Sequence, residues 1–478
     1  MVILTLITQI FILIQNSLVA SHFGVSEELD AFYLTRNISN FIYGFIGAGI
    51  STIIVPYLKD KSNKKGLDIF ITIMYTFGFL LLLLTVIFRN QIIVFVSGNN
   101  DYTFLAVASK IFIYTILTGY FNSLIQLVKS VLEFKGKFNR QKVIILFTTI
   151  VIVMFLWIGN NASIYDYAIM ILIMNGVALF FHILLIRKKK FKFNISFNIK
   201  NTSFREMIKL YIPTALSTGT YQITLLIDTS IASRLNVGDV SILNYSNSII
   251  SMLNILLLGN LISFIYPKLV KKTNEKDRLI SLESYIIFIN LIMCLTVTLF
   301  YVIGKEGISF LFERGKFTSA NTNIVYLCGL ILVISLPING VRDLYYRYFY
   351  INKDTRTPFL NSIMVSVINI LLSIILSVYL GLLGVVIGTT VASMISLFLI
   401  IKKFKNKFQI NYNQMKLKME TLKFLVATFI TILVTMFVKN IIVVNNNLLN
   451  MIIFSIIALI LYTILLVIFK SKILNINL

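Results

Sequence analysis

Cysteine and histidine are nearly missing from this chain, with two of each in 478 residues. Cys294 and Cys328 both lie inside apolar runs, which excludes a disulfide framework and any Cys-x-x-Cys metal motif. His22 and His182 are too few and too far apart in sequence to build a zinc site. Charge is scarce as well, at 13% of residues, and acids are rarer than bases, 19 against 43. No P-loop occurs, so an ATP-driven pump is excluded. Ten-residue segments of dyad alternation are also lacking, which excludes a transmembrane β-barrel. No polar stretch is long enough for a soluble domain on either face. The outer loops leave little room for the carboxylates or histidines of an enzyme acting on lipid-linked sugars. No catalytic residue, cofactor or metal is therefore expected.

What fills the chain is apolar, at 58% of residues. Fourteen runs approach the ~20 residues that carry a helix across a bilayer. They lie near 2–20, 31–56, 67–88, 103–131, 142–158, 164–186, 207–231, 240–266, 279–303, 323–350, 357–379, 381–401, 422–438 and 448–469. The first run continues into a matched second one with no small-residue cleavage site, so it reads as a span and not a signal peptide. Thirty-two of the 43 Lys and Arg residues fall in or at the edges of the even-numbered gaps, and six fall in the odd-numbered ones. Cationic loops stay cytoplasmic. The expectation is an all-α polytopic protein of the cytoplasmic membrane, with 14 transmembrane helices and both termini inside.

The net charge of +24 invites a nucleic-acid reading. Clusters such as Arg187, Lys188, Lys189, Lys190 and Lys192 argue otherwise, because they directly follow a span and there anchor orientation against anionic lipid headgroups. Membrane lipids, not nucleic acid, are the expected partners. Outer loops are short, the longest being Gly304–Thr322 with Lys305, Glu306, Glu313, Arg314 and Lys316.

The chain also repeats itself. Ala20, Ser21, Val25 and Tyr33 recur as Ala232, Ser233, Val237 and Tyr245 at a constant offset of 212. Pro56 returns as Pro267 one residue out of that register, and Lys129 with Lys135 is echoed by Arg347 with Lys353. Six spans intervene per copy, so both copies run in the same direction. Such parallel six-helix lobes are a transporter architecture with a site between them at mid-depth. The lobes are expected at 1–195 and 196–403, with two extra transmembrane helices in 404–478.

Five basic residues fall inside spans: Arg36, Lys110, Lys129, Arg342 and Arg347. Asp30, Glu133, Asp228 and Asp343 are among the acids in or at the edge of spans. A charge at the bilayer centre costs ~2.5–3.5 kcal/mol on insertion scales and so faces a cavity or a partner. Lys129 and Glu133, spaced i,i+4, fit a snorkelling ion pair as well as a cavity group. Lys110 fits snorkelling, and Asp30 fits the N-cap of its own helix. Arg36 and Arg342 are harder to explain structurally. Arg36 lies ~9 Å deeper than Asp30 along a helix, and Arg342 sits mid-span just after a Pro337–Gly340 break. Arg342 and Asp343 are adjacent and point in different directions, so they are not expected to neutralise each other. A guanidinium at that depth suits a phosphate or pyrophosphate.

Several stretches resemble the MurJ/MviN lipid II flippases of the multidrug/oligosaccharidyl-lipid/polysaccharide (MOP) exporter superfamily. Ser17-Leu-Val-Ala-Ser-His-Phe-Gly24, Leu29-Asp30-Ala-Phe-Tyr33 and Val55-Pro56 are similar to that family's first two helices. Leu226-Ile-Asp228-Thr-Ser-Ile-Ala-Ser233 and Val240-Ser-Ile-Leu-Asn-Tyr245 resemble its seventh and eighth. Phe312-Glu-Arg-Gly-Lys-Phe-Thr318, Arg347-Tyr-Phe-Tyr350 and Asp354-Thr-Arg-Thr-Pro358 resemble its ninth-to-eleventh region. The resemblance covers roughly 15–400. It implies inward-to-outward movement of a polyprenyl-pyrophosphate-linked sugar across a bacterial membrane by alternating access, with lipid II as leading cargo and a monomeric transporter. It also implies a lipid-tail groove formed by the last two helices, 422–469. Asp30, Asp228, Arg347 and Asp354 match the family's pattern. Gln15-Asn16 stands where Arg-Asp is usual, Tyr43 and Ser248 where Arg is, and Ala48 where an acid is. The cavity set implied for this chain is Arg36, Arg342, Arg347, Asp30, Asp228, Lys129, Gln15 and Asn16. Alternatives are an exporter of another lipid-linked polysaccharide or teichoic-acid-type precursor, a cation-coupled drug exporter, and a membrane-embedded glycosyl-transferring enzyme.

Overall fold

The computed structural model describes residues 2–58, 64–99, 101–135, 138–159, 161–187, 193–272, 274–408, 414–442 and 446–471. Among them there is no β-strand, only helices joined by short turns. The chain divides into two units. The first comprises Met1–Ser241 and Arg314–Phe317. It holds α1 (Val2–Phe23), α2 (Glu27–Leu58), α3 (Lys64–Ile87), α4 (Arg89–Ser97), α5 (Tyr102–Phe134), α6 (Phe138–Ile158), α7 (Ile164–Arg187) and α8 (Thr202–Ala232).

The second unit comprises Ile242–Glu313 and Thr318–Leu478. It holds most of α9 (Asp239–Leu253), a π-helical turn at Asn254–Gly259, and α10 (Asn260–Lys271). After these come α11 (Glu275–Phe312), α12 (Ser319–Val333), α13 (Ser335–Ile351), α14 (Arg356–Leu380), α15 (Leu382–Phe408), α16 (Gln414–Ile441) and α17 (Asn447–Ile468).

Twelve stretches of the described residues are helical, long and apolar enough to cross a membrane. They are α1, α3, α5, α6, α7, α9 through α10, α11, α12 through α13, and α14 to α17. α2 and α8, 32 and 31 residues long, have the length but carry Asp30, Arg36, Asn37 and Asn40, and Gln222 and Asp228. The expected all-helical, many-span class is therefore present. Asparagine starts three helices: the side chains of Asn201, Asn274 and Asn446 accept from the amides of Phe204, Lys276 and Leu448, satisfying donors that the first turn leaves free.

Local departures from expectation have clear causes. The break foreseen at Pro337–Gly340 falls instead at Ile334, between α12 and α13. Proline lacks an amide hydrogen and its ring crowds the carbonyl four residues back, so the distortion appears one turn upstream of Pro337. The gap 89–102 is partly helical, as α4. The outer stretch beginning at Gly304 is helical to Phe312, because α11 runs 38 residues. There Glu306 pairs with Lys439 of α16 at 2.5 Å, so two charges assigned to outer loops neutralise each other. Lys188–Lys192 lie outside the described residues.

In the first unit, α1 ends on Gly24, at φ +61°, beside the Arg314–Phe317 segment. The Lys316 amide donates to Ser21 O at 2.9 Å. A Cβ on Gly24 would lie 2.5 Å from Lys316 O, and one on Gly315 would lie 2.3 Å from Ser21 O. In the second unit, α16 and α17 pack on α11 through Ile287, Cys294, Phe424, Ala427 and Tyr462, and again through Val302, Phe454 and Ala458. Both cysteines are buried thiols.

Gly24→Ala should lower the melting temperature of the detergent-solubilised protein more than Gly98→Ala does. Both glycines have positive φ, which alone costs ~1–2 kcal/mol for an L side chain. At Gly24 the added Cβ also meets a backbone oxygen, whereas at Gly98 it meets the Arg234 side chain, which can move aside. Equal shifts would show that the Lys316 contact does not constrain α1.

Candidate functional site

The polar interior of the first unit is organised by α2, which packs against both α5 and α8. Ser39 Oγ donates to Thr115 O at 2.8 Å, and Gly119 lets the two helices meet there, since a Cβ on it would sit 2.1 Å from that hydroxyl. On the other side Asn37 Nδ2 donates to Thr229 Oγ1 at 2.8 Å, and the Tyr211 hydroxyl donates to Phe45 O at 2.8 Å. Among these helices lies a cavity of about 460 Å³. α2 lines it with Asn40, Tyr43, Gly44 and Gly47, and α5 with Gly119, Asn122, Ser123 and Gln126. α8 contributes Tyr221 and Gln222. The i, i+3, i+4, i+7 spacings on α2 and α5 place each of those two sets on one helix face. None of the described lining residues carries a charge.

The expected charged residues of this unit are placed differently. Asp30 is buried at 6% exposure, yet it does not cap its own helix. Ser26 does that, with its hydroxyl accepting from Leu29 N at 3.3 Å. The Asp30 carboxylate instead accepts from Gly238 N at 2.5 Å, Ser241 N at 2.7 Å and Ser241 Oγ at 2.5 Å. It sits over the segment that opens α9, where free amides and the helix dipole favour an anion. The N-cap reading is corrected because Asp30 lies four residues past Ser26, inside the first turn.

Arg36 is exposed and, among the described residues, has no carboxylate partner. It lies within electrostatic reach of Tyr33 and Tyr167. Gln15 Nε2 donates to the Tyr167 hydroxyl at 3.0 Å, so α1, α2 and α7 bring Gln15, Tyr167 and Arg36 together, with Asn16 half-buried beside Gln15. Asp228 is buried next to the Asn37–Thr229 contact. Lys129 is half-buried, and its carbonyl accepts from Gln141 Nε2 at 3.4 Å. The side chain of Glu133, its expected partner, lies outside the described residues, as does that of Ala48. Lys110 lies 5.8 Å from the centre of the Tyr165 ring.

In the second unit the decisive element is α13. Ile334, just before it, and Pro337, Ile338, Val341 and Tyr345 line an apolar groove of about 540 Å³, shared with Ile286 and Asn290 of α11, Met394 of α15 and Leu425 of α16. Arg342, Asp343, Tyr346, Arg347 and Tyr350 follow Val341 and Tyr345 by one residue or more and are all half-buried. One residue is ~100° of helical rotation. A single helix thus shows an apolar wall on one side and a basic, aromatic stripe on the next.

The stripe is internally connected. Arg342 Nη2 pairs with Asp343 Oδ1 at 3.3 Å, with the side chains 22% and 36% exposed. This corrects the expectation that adjacent residues would not meet: the spacing rule follows Cβ directions, whereas the long arginine folds back along the axis. The pair leaves Arg342 Nε buried and without a partner among the described residues. Its guanidinium also lies 5.6 Å from the Tyr346 ring, and that of Arg347 lies 5.2 Å from Tyr266 of α10. Arg347 has no ion pair among the described residues. The structure gathers Arg342 and Arg347 on one face of the second unit. Sequence reasoning missed Tyr266, Tyr346 and the cavity amides; the amides at helical spacing with Gly44, Gly47 and Gly119 were the available signal.

Asp354 has a structural part. It accepts from Thr357 N at 3.0 Å and Thr357 Oγ1 at 2.7 Å at the start of α14, and pairs with Lys407 near the end of α15. Burial pushes its carboxyl up, but the Lys407 ammonium and the Thr357 donors outweigh this and hold it at about 2, below the ordinary 3.8. The stabilisation is therefore complete above pH ~4 and is lost as pH falls through ~2. Asp354→Ala should cost on the order of 2 kcal/mol near neutral pH. The difference in melting temperature from the parent should shrink as acid is added from pH 4 towards 2. A gap that stays constant over that range would contradict the strap.

Comparison with known proteins agrees with this architecture. The family described as "Lipid II flippase MurJ" matches residues 19–459. The "Probable lipid II flippase MurJ" of Buchnera aphidicola subsp. Acyrthosiphon pisum (strain APS) is 27% identical over 394 residues, covering 77% of this chain and 75% of that protein. A solved "Lipid II flippase MurJ, inward closed conformation" superposes with a TM-score of 0.85 at 24% identity, covering 99% of both chains. An "Inward-facing conformation of a multidrug resistance MATE family transporter of the MOP superfamily" has a TM-score of 0.69 at 13% identity, covering 85% of this chain and 96% of that one. These structural likenesses speak to the fold.

Proposed function

Since the chain belongs to the MurJ family of lipid II flippases, we propose that it moves lipid II, an undecaprenyl-pyrophosphate-linked peptidoglycan precursor, from the inner to the outer leaflet of the bacterial cytoplasmic membrane by alternating access. It is a multi-pass transporter and not an enzyme. α2 and α8 complete fourteen crossings, both termini are cytoplasmic, and the repeats occupy 1–195 and 196–403 with two further helices in 404–478.

The observation that carries the substrate reading is α13, with its groove and its stripe one residue apart. An amphiphile with an anionic diphosphate and a long prenyl tail needs both surfaces side by side. Arg342 and Arg347 grip the diphosphate with planar forks of donors. The open Arg342–Asp343 pair is weak enough for phosphate oxygens to compete, as pairs accessible to water contribute ~0–1 kcal/mol. Tyr266 and Tyr346 hold the guanidiniums without neutralising them. The groove walled by α11, α13, α15 and α16 takes the tail; α17 packs behind it on α11.

In the first unit, Arg36 is a second unneutralised cation, grouped with Gln15 and Asn16. Asp30, Asp228 and Lys129 adjust gating or ion coupling. Two negative charges moving outward against an inside-negative potential gain ~2.3 kcal/mol each per 100 mV, so the membrane potential suffices without ATP.

Arg342→Ala should reduce lipid II translocation in proteoliposomes at least tenfold, while the protein still inserts and melts near the parent temperature. Depleting the protein in cells should make the same precursor accumulate on the inner leaflet. Full translocation by the variant would remove the diphosphate clamp, and accumulation of a different lipid-linked precursor would reassign the cargo.

A further inference from the structure

The cavity in the first unit is chemically unlike the basic stripe. Its polar side chains are the amides of Asn40, Asn122, Gln126 and Gln222, with the rings of Tyr43 and Tyr221. None of the four amides has a hydrogen-bond partner among the described residues, although neighbouring hydroxyls are used: Ser123 Oγ donates to Tyr120 O at 2.7 Å, and the Tyr43 hydroxyl donates to Gly78 O at 3.2 Å. Asn40 and Asn122 are exposed and Gln126 and Gln222 half-buried, so these amides are open to bond to water or to a ligand that enters.

The glycines give the amides room. A Cβ on Gly44 would lie 2.9 Å from Gln222 Cγ, and one on Gly47 would lie 3.4 Å from Gln126 Cγ. A phosphate does not fit this chemistry, because no described lining residue is a cation. A metal ion does not fit either, because none is a carboxylate. A prenyl tail would strand all four amides.

We propose that this cavity is a subsite for the neutral sugar head of the cargo. Planar amides present a donor and an acceptor side by side, which matches the hydroxyl and acetamido groups of an amino sugar. Tyrosine rings supply apolar faces with a polar edge for the C–H side of a sugar ring. About 460 Å³ is within the size range of pockets that enclose a small organic ligand. Preference over a bare polyprenyl pyrophosphate then follows: without a sugar, the amides bond only to water and the cavity adds nothing to binding. The inference rests on the cargo reading above.

Binding of two probes to the purified full-length protein tests it: lipid II, and undecaprenyl pyrophosphate with no sugar. Asn122→Ala combined with Gln222→Ala should weaken lipid II binding about tenfold or more, the effect of two lost hydrogen bonds, and change undecaprenyl pyrophosphate binding less than about twofold. The milder Asn40→Ala, expected to lose severalfold for lipid II alone, keeps the test valid if the double variant is poorly folded. Equal losses for both lipids, or no loss for either, would overturn the sugar subsite. Arg342→Ala serves as the separate control: it should weaken both probes alike, and no effect on either would sink the diphosphate reading without touching the sugar comparison.

Discussion

A guanidinium held within hydrocarbon has to be wetted, paired or stacked, and the organisation of this protein follows from how the few arginines within its apolar runs meet that demand. On α13 the solution is partial. Arg342 leans on Asp343 and Tyr346, and Arg347 on Tyr266, but neither group is satisfied: one Arg342 nitrogen is buried without a partner, and Arg347 has no ion pair among the described residues. Incomplete pairing leaves attraction for an incoming anion that a saturated network would lack. The same helix turns its next face to an apolar groove, so in the proposed clamp one helix would couple head and tail recognition.

The first unit solves a different problem. Its polar-bearing long helices, α2 and α8, pack on each other and hide polar atoms through short hydrogen bonds such as Asn37 to Thr229 and Tyr211 to Phe45. Asp30 is held by two backbone amides and a hydroxyl at the opening of α9. Those donors stabilise an acid that has no ion pair among the described residues. What remains open in this unit is Arg36 and the uncharged amide cavity.

Much of this is written in the chain. Apolar run lengths mark the helices long enough to cross a membrane. Arg36 and Arg342 stand out because charge in such runs is rare. Other features are not local and so were not legible. The fold-back of Arg342 onto its neighbour depends on side-chain length, not on Cβ spacing. The partner of Asp30 lies two hundred residues away, and Pro337 shifts its break to Ile334. The cavity amides converge only because Gly119 lets α5 approach α2, and a search for charged residues passes over them.

Water access at the basic faces bears most directly on the account. Cysteines introduced as Arg36→Cys and Arg342→Cys can be read by a membrane-impermeant thiol reagent in vesicles of both orientations, since native Cys294 and Cys328 are buried. Leu371→Cys, at an exposed apolar position on α14, reports the lipid-facing surface. The account predicts that positions 36 and 342 react and that position 371 stays inert. If 36 and 342 were as unreactive as 371, the arginines would not face an aqueous path, and the diphosphate clamp would be wrong.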